Sequence, residues 1–185
     1  MLFWMTLFLT IGYPSCDGPD YAALRDIRDI DIFDPVTRQF LSEPATTTSD
    51  SISLVISMEI KQFSYHSIPG LMNEAWGYFQ PPSPVMANEI TDIRIYSNRE
   101  IYGIAPGENI APMLLFSAYL PYKWPLTEFL EEQPDKGSSF GYYFYDQMHV
   151  FFSSKPSPGV YSFTVEIEDN NGHVLTASAP ILEWL

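Results

Sequence analysis

The most regular pattern of the chain lies between Gly159 and Leu182. Apolar and polar residues alternate there, in the order Tyr161, Ser162, Phe163, Thr164, Val165, Glu166, Ile167 and Glu168. This period-two alternation is typical of a strand with one buried and one solvated face. Asn171-Gly172 follows, and because both residue types tolerate positive φ, the pair predicts a hairpin turn. An apolar hairpin face needs a second sheet to cover it, so the segment predicts architecture rather than chemistry.

Two earlier segments predict strands by the same alternation. Between 51 and 61 every second residue is apolar, namely Ile52, Leu54, Ile56, Met58 and Ile60. Between 88 and 97, Ile93 and Ile95 share one face of a predicted strand. The chain between these strands, Ser67 to Ala87, is a long loop, and loops of this length are usually functional or covering segments.

The segment from Tyr21 to Phe33 fits two periods. Leu24, Ile27 and Ile30 recur at every third residue, as on a helix, whereas the residues from Ile30 to Ile32 alternate as in a strand. We predict a strand from Asp26 to Phe33. Its acidic residues suggest a cation site or a solvated face, and the lack of an Asp-x-Asp-x-Asp-Gly loop favours the solvated face.

The middle of the chain adds shorter elements. Residues 111 to 120 form a continuous apolar run, which periodicity alone assigns to neither strand nor helix. The acidic segment from Glu128 to Glu132 predicts a short helix, and Thr127, the residue before it, is the predicted N-cap. Two aromatic segments, 142 to 145 and 148 to 153, predict further strands. Seven or eight strands and one short helix in a connection indicate an all-β sandwich.

The final hairpin resembles that of immunoglobulin-like and fibronectin-like domains. The resemblance lies in Pro158 to Val165 and in the turn from Asp169 to Gly172. It implies an immunoglobulin-like or fibronectin-like β-sandwich with Tyr161 near the position of the corner tyrosine. The chain has one cysteine, so it lacks the cross-sheet disulfide of an antibody domain.

Composition narrows the class of protein. The 185 residues, 46% of them hydrophobic, can form one sizeable core or two small ones. Aromatic residues at 16% and 16 prolines favour a loop-rich β protein. The net charge of −14 repels the phosphates of DNA and RNA, so a nucleic-acid partner is excluded.

The amino-terminal segment predicts where in the cell the protein is located. Residues 1 to 15 are uncharged and mostly apolar, too short for a mature transmembrane helix but suited to a signal peptide. A small residue before the lone Cys16 resembles a bacterial lipoprotein cleavage site, which implies that Cys16 is lipidated and that 16 to 185 form the mature domain. Asp17 and Asp20 resemble the surface-export signal of Bacteroidetes lipoproteins. The alternative is a buried N-terminal segment with an inert thiol.

The chain as a whole resembles uncharacterised Bacteroidetes lipoproteins that join a lipid anchor to an immunoglobulin-like β-sandwich. Besides Cys16, the resemblance lies in the segment from Asn88 to Ile95. It implies an outer-membrane location, possible exposure at the cell surface, the membrane as one partner, and a glycan or protein of the envelope as another. It implies no activity.

Motifs for catalysis or cofactors are missing from the sequence. His66, His149 and His173 each stand without a second His or Cys at ligand spacing, so we predict no metal site and no cofactor. The oxygen-rich turn from Asp169 to Gly172 suggests calcium, but a hairpin turn explains the same residues. Glu131-Glu132 and Glu166/Glu168 would serve a glycosidase only if two carboxylates faced each other across a cleft.

Aromatic residues are the best candidates for binding. Trp76, Tyr78 and Phe79 lie in the long loop, and Trp124 lies between Lys123 and Pro125. If these aromatic side chains are exposed, they would stack on sugar rings. If they are buried, they would fill the ends of the sandwich, which is the interpretation we favour.

The first hypothesis for the function is a non-enzymatic, lipid-anchored envelope protein acting as a structural or interaction module. The others are a carbohydrate-binding surface lipoprotein, and a hydrolase recognisable by two close carboxylates or a Ser–His pair.

Overall fold

The structure is a computed structural model that describes residues 21–63, 85–118, 120–132 and 146–185. Several predictions concern residues outside these ranges: the signal peptide of residues 1 to 15, the lipidated Cys16, His66, and the aromatic residues Trp76, Tyr78 and Phe79 of the long loop. They remain predictions from the sequence.

The described residues are mostly strands, and the predicted all-β class is confirmed. The strands are β1 (Tyr21–Asp34), β2 (Gln39–Leu41), β3 (Ala45–Thr47), β4 (Ser53–Phe63), β5 (Val85–Met86), β6 (Ile90–Ser97), β7 (Leu115–Ser117), β8 (Trp124–Pro125), β9 (Gln147–Phe151), β10 (Gly159–Tyr161), β11 (Phe163–Asp169), β12 (Val174–Ser178) and β13 (Leu182–Trp184). A 3-10 helix spans Ala111–Met113, and helix α1 spans Leu126–Glu131. The strand count exceeds seven or eight because short pairing segments of two or three residues show no alternation.

Three sheets share one apolar core. The largest has the order β2-β1-β4-β9-β7-β8, with β5 also paired to β1, and the others have the orders β12-β11-β6 and β10-β13-β3. Most neighbours are antiparallel; β5 with β1 and β13 with β3 are parallel. One cluster of buried residues includes side chains from all three sheets, so the sheets pack face to face as a sandwich.

Two β-bulges explain the ambiguous period of β1. The register skips Arg25 between Leu24 and Asp26, and skips Arg28 between Ile27 and Asp29. Each extra residue shifts the alternation by one position, so apolar residues three apart all point into the core. At each bulge the aspartate Oδ1 accepts a hydrogen bond from the next amide, at 2.8 Å from Ile27 and 2.9 Å from Ile30. The predicted strand is therefore correct and begins earlier than Asp26.

A β-bulge with the same aspartate hydrogen bond occurs in β6. The register with β11 skips Thr91, and the Asp92 carboxylate accepts a hydrogen bond from the Ile93 amide at 2.9 Å. Ile93 and Ile95 are fully buried, as their spacing predicts. The chain thus repeats a triplet, a skipped residue followed by Asp-Ile, at three bulges.

The hairpin of β11 and β12 forms as predicted, but its turn differs. Gly172 has a φ of 78°, whereas Asn171 does not have positive φ. The Gly172 amide bonds the Asp169 carbonyl, and the Asp169 amide bonds the His173 carbonyl. This is a three-residue loop closed by a glycine bulge, which needs one positive φ instead of the two we expected.

Aromatic residues fill the centre of the core. Tyr161 donates a hydrogen bond from its hydroxyl to the Ser157 carbonyl, four residues upstream, the geometry of a corner tyrosine. Trp184 packs edge-on against Phe152 and Tyr161, and its indole N–H donates to the Ser49 carbonyl at 2.7 Å. The sequence singled out other tryptophans as possible fillers and missed this one.

The start of α1 corrects a further prediction. The helix begins at Leu126, the N-cap position belongs to Pro125, and no side chain caps the helix. Thr127 lies inside the first turn, so its assignment as N-cap was wrong. Proline has a fixed φ and no amide to donate, which suits it to a helix start. The apolar run from 111 to 120 divides into the 3-10 helix and β7.

Candidate functional site

The largest sheet buries residues on both of its faces. Its core face carries the predicted alternating residues of β4, such as Leu54 and Ile56. The opposite face carries Val55 and Phe151, which are 0% and 4% exposed yet do not belong to the core cluster. We call this opposite side the second face. Burial outside the core cluster distinguishes this face from an ordinary solvated face of a sheet.

Three neighbouring strands place polar residues on the second face. His149 of β9 lies directly opposite Val55 of β4 on one side and Ser117 of β7 on the other. Ser53 of β4 lies opposite Phe151. Because paired residues in antiparallel strands point to the same side, these five side chains form one group, which we call the second-face cluster.

Polar atoms of the second-face cluster lack protein partners. The hydroxyls of Ser53 and Ser117 and the Nδ1 atom of His149 are buried without a hydrogen bond. Both serines are fully buried. Buried polar groups in native proteins nearly always have a partner, and exceptions often have a functional role. No other serine, threonine or histidine atom of the described residues is in this condition.

The His149 ring lies beside two apolar side chains, Val55 and Phe151. It stacks on the ring of Phe151, with centroids 6.0 Å apart and planes 13° from parallel. Burial lowers the pKa of His149, since the charged imidazolium is poorly solvated there. Asp31 lies beyond Val55 in the same row of the sheet. Burial, and then the charge of Asp29, raise the pKa of Asp31.

Lys123 contacts the cluster at Phe151. Its ammonium lies 3.8 Å from the centre of the Phe151 ring, a cation–π contact. Lys123 is itself exposed. The next residue, Trp124, pairs with the core residue Phe116 and packs against the core, so this segment contributes side chains to both faces of the sheet.

Trp124 is the one predicted ligand-binding residue within the described ranges. It is half-buried and packs against the core. Its other side carries Tyr122, with ring centroids 5.9 Å apart and planes 22° from parallel. Tyr122 is 65% exposed, and nearby Leu120 is 54% exposed. The exposed aromatic surface therefore belongs to Tyr122, which the sequence did not single out.

The turn proposed as a calcium site is saturated by protein donors. The Asp169 carboxylate accepts hydrogen bonds from the Asn88 amide group at 2.8 Å and from the backbone amides of Asn171 and His173. Although burial opposes it, this bonding lowers the pKa of Asp169 to about 2. The structure therefore favours the turn over the ion. The described residues contain no group of three or more His, Cys, Asp or Glu placed to share a metal.

Glu166 and Glu168 do not form a catalytic pair. They lie side by side on β11 and share one guanidinium, with Arg94 at 3.5 Å and 2.7 Å respectively. A glycosidase needs two carboxylates facing each other across the substrate. Ser117 and His149 are cross-strand neighbours, but the Ser117 hydroxyl makes no hydrogen bond to the imidazole, as an activated nucleophile would.

No family model, curated protein or solved structure matches this chain. Within the described ranges, no helix has the length and apolar character needed to cross a bilayer.

Proposed function

We propose that the chain is a non-enzymatic, lipid-anchored protein of the cell envelope whose β-sandwich binds carbohydrate. The anchor follows from the resemblance around Cys16. The binding surface follows from one observation, the exposed ring of Tyr122 stacked on Trp124. Sugar rings present an apolar face of C–H groups, which complements such a ring.

The packing beneath the Tyr122 ring favours a ligand-binding role for this exposed side chain. Trp124 is fixed by the core on one side and by β7 through its pairing with Phe116. Tyr122 rests on this fixed ring, so little conformational freedom is lost when a ligand stacks on it. Leu120, two residues before Tyr122 in the sequence, is also exposed. Exposed apolar patches of this kind often mark ligand sites.

A glycan array with purified protein tests the carbohydrate proposal. We expect Tyr122→Ala to weaken binding about fivefold, since an aromatic contact is worth about 1 kcal/mol. Phe40→Ala is the matched control, because Phe40 is 59% exposed on another part of the surface. Trp76→Ala tests the aromatic residues of the long loop in the same assay. An array without binding, or equal losses in Tyr122→Ala and Phe40→Ala, would contradict the proposal.

The anchor needs its own experiment. Mass spectrometry of the native protein should find a lipidated Cys16 as the first residue, and Cys16→Ala should move the protein from the membrane fraction to the soluble fraction. A native protein that retains an unmodified Met1 would contradict the anchor while leaving the carbohydrate proposal open.

A further inference from the structure

The proposed carbohydrate surface leaves the second-face cluster unexplained, because Trp124 lies on the core side of the sheet and the cluster lies on the opposite side. We infer that the second-face cluster is a separate binding site for a small neutral sugar or cyclic polyol. This inference rests on different residues from the Tyr122 surface, although the ligand class is related.

The polar atoms of the cluster match hydroxyl groups. The hydroxyls of Ser53 and Ser117 can each donate and accept, and a neutral imidazole donates from one nitrogen and accepts at the other. A ligand hydroxyl also donates and accepts, so it satisfies any of these atoms. A charged ligand would lose its hydration on entering this buried region, which disfavours it. Burial lowers the pKa of His149 because it disfavours the charged imidazolium, and it disfavours a charged ligand in the same way.

The layout of the cluster fits a ring with one apolar side. Ser117 and His149 are one strand apart, about 5 Å, and Ser53 lies one strand further and two residues along. Between these polar positions lie the apolar side chains of Val55 and Phe151. Alternating polar and apolar contacts at this spacing suit a monosaccharide or disaccharide, whose hydroxyls lie at the rim of an apolar ring face.

Lys123 is an exposed residue that contacts the cluster. The contact with Phe151 is a cation–π interaction, which is weak at an exposed position. We place the entry of the ligand beside Lys123, at Phe151, which is the neighbour of both His149 and Ser53.

NMR of the His149 ring tests this inference on the whole protein. The probes are D-glucose, D-galactose, myo-inositol and glycerol, each titrated separately. We expect a saturable shift of the ring resonances with at least one cyclic probe and a smaller effect of glycerol. Ser53→Ala and Ser117→Ala should each raise the Kd about tenfold, the value of one lost hydrogen bond. Ser57→Ala, on the same face opposite Gln147, is the matched control and should bind normally.

The variants separate this site from the proposed surface. Tyr122→Ala should leave the His149 response unchanged even if it abolishes binding on the array. No saturable shift with any probe would overturn the inference, as would unchanged binding in both Ser53→Ala and Ser117→Ala. Amide spectra of each variant establish that it is folded, and an alanine at either position removes only an unpartnered hydroxyl.

Discussion

The side chain of Asn88 joins the buried carboxylate of Asp169 to the backbone of β1. Its amide donates to Asp169 Oδ2 at 2.8 Å across 81 residues of sequence, and it exchanges two hydrogen bonds with Leu24, at 2.9 Å and 3.2 Å. Asn88 is 5% exposed. One amide side chain thus connects the largest sheet to the turn between β11 and β12.

Replacement of Asn88 by alanine should destabilise the protein. The variant loses three buried hydrogen bonds, one of them to a charged group, and leaves their partners unsatisfied. We expect a loss of about 3 kcal/mol in the free energy of unfolding, measured by urea denaturation. Asn170→Ala, at an exposed position of the same turn, should change it by less than about 0.5 kcal/mol. Similar losses in both variants would show that Asn88 does not connect the sheets energetically.

Acid should lower the free energy of unfolding by protonating Asp169. The pKa of Asp169 is about 2 in the folded chain, below the ordinary value of 3.8, so the folded state binds its proton less readily than the unfolded state. Its stabilising contribution is complete above pH 4 or so and is lost as the pH falls toward 2 or so. Asp169→Asn should flatten this part of the stability–pH curve. If the stability–pH curve of Asp169→Asn is as steep as that of the wild type, the acid sensitivity comes from other groups.

Deletion of Arg28 should be tolerated, whereas deletion of Asp31 should not. Without Arg28, Ile27 and Asp29 become consecutive and face Met58 and Ser57, which are already consecutive, so one bulge disappears and the core positions persist. Deletion of Asp31 makes Ile30 and Ile32 adjacent and turns one side of β1 outward. We expect losses below about 2 kcal/mol and above about 4 kcal/mol respectively, measured by urea denaturation. Equal losses would contradict the bulge assignment.

Removal of the Ser117 hydroxyl should stabilise the protein. The hydroxyl is buried without a partner, and such a group costs about 1 to 3 kcal/mol, so Ser117→Ala should gain about 1 kcal/mol. Ser97→Ala is the matched control, because Ser97 is also buried but accepts a hydrogen bond from the Arg99 amide at 3.2 Å. It should lose about 1 kcal/mol. A loss in Ser117→Ala would indicate that its hydroxyl is satisfied in solution.

The sequence predicted the fold where side chains alternate regularly. Residues from Phe163 to Ile167 were assigned to the correct faces because each position depends only on its neighbours. The β1 segment was ambiguous because two skipped residues give a strand the period of a helix. Asn171 was assigned positive φ although the glycine bulge needs only Gly172 there. Local patterns do not distinguish these turn types.

The candidate site was less predictable, because it depends on which strands become neighbours. His149 and Ser117 are 32 positions apart, and no spacing rule connects them. The one available signal was Val55, an apolar residue at a position where the alternation of β4 predicts a polar one. It indicates a strand buried on both sides. The same limit applies to Tyr122, whose position on Trp124 depends on tertiary packing.

The repeated triplet of β1 has a consequence for how a strand divides its residues between water and core. An ordinary alternating strand exposes one residue to solvent for each residue that it buries. At a bulge with the sequence Arg-Asp-Ile, two charged residues accompany each buried isoleucine. Bulges also increase the twist of the strand. A strand built this way carries more charge for the same number of buried residues, and the added twist disfavours edge-to-edge pairing with other chains.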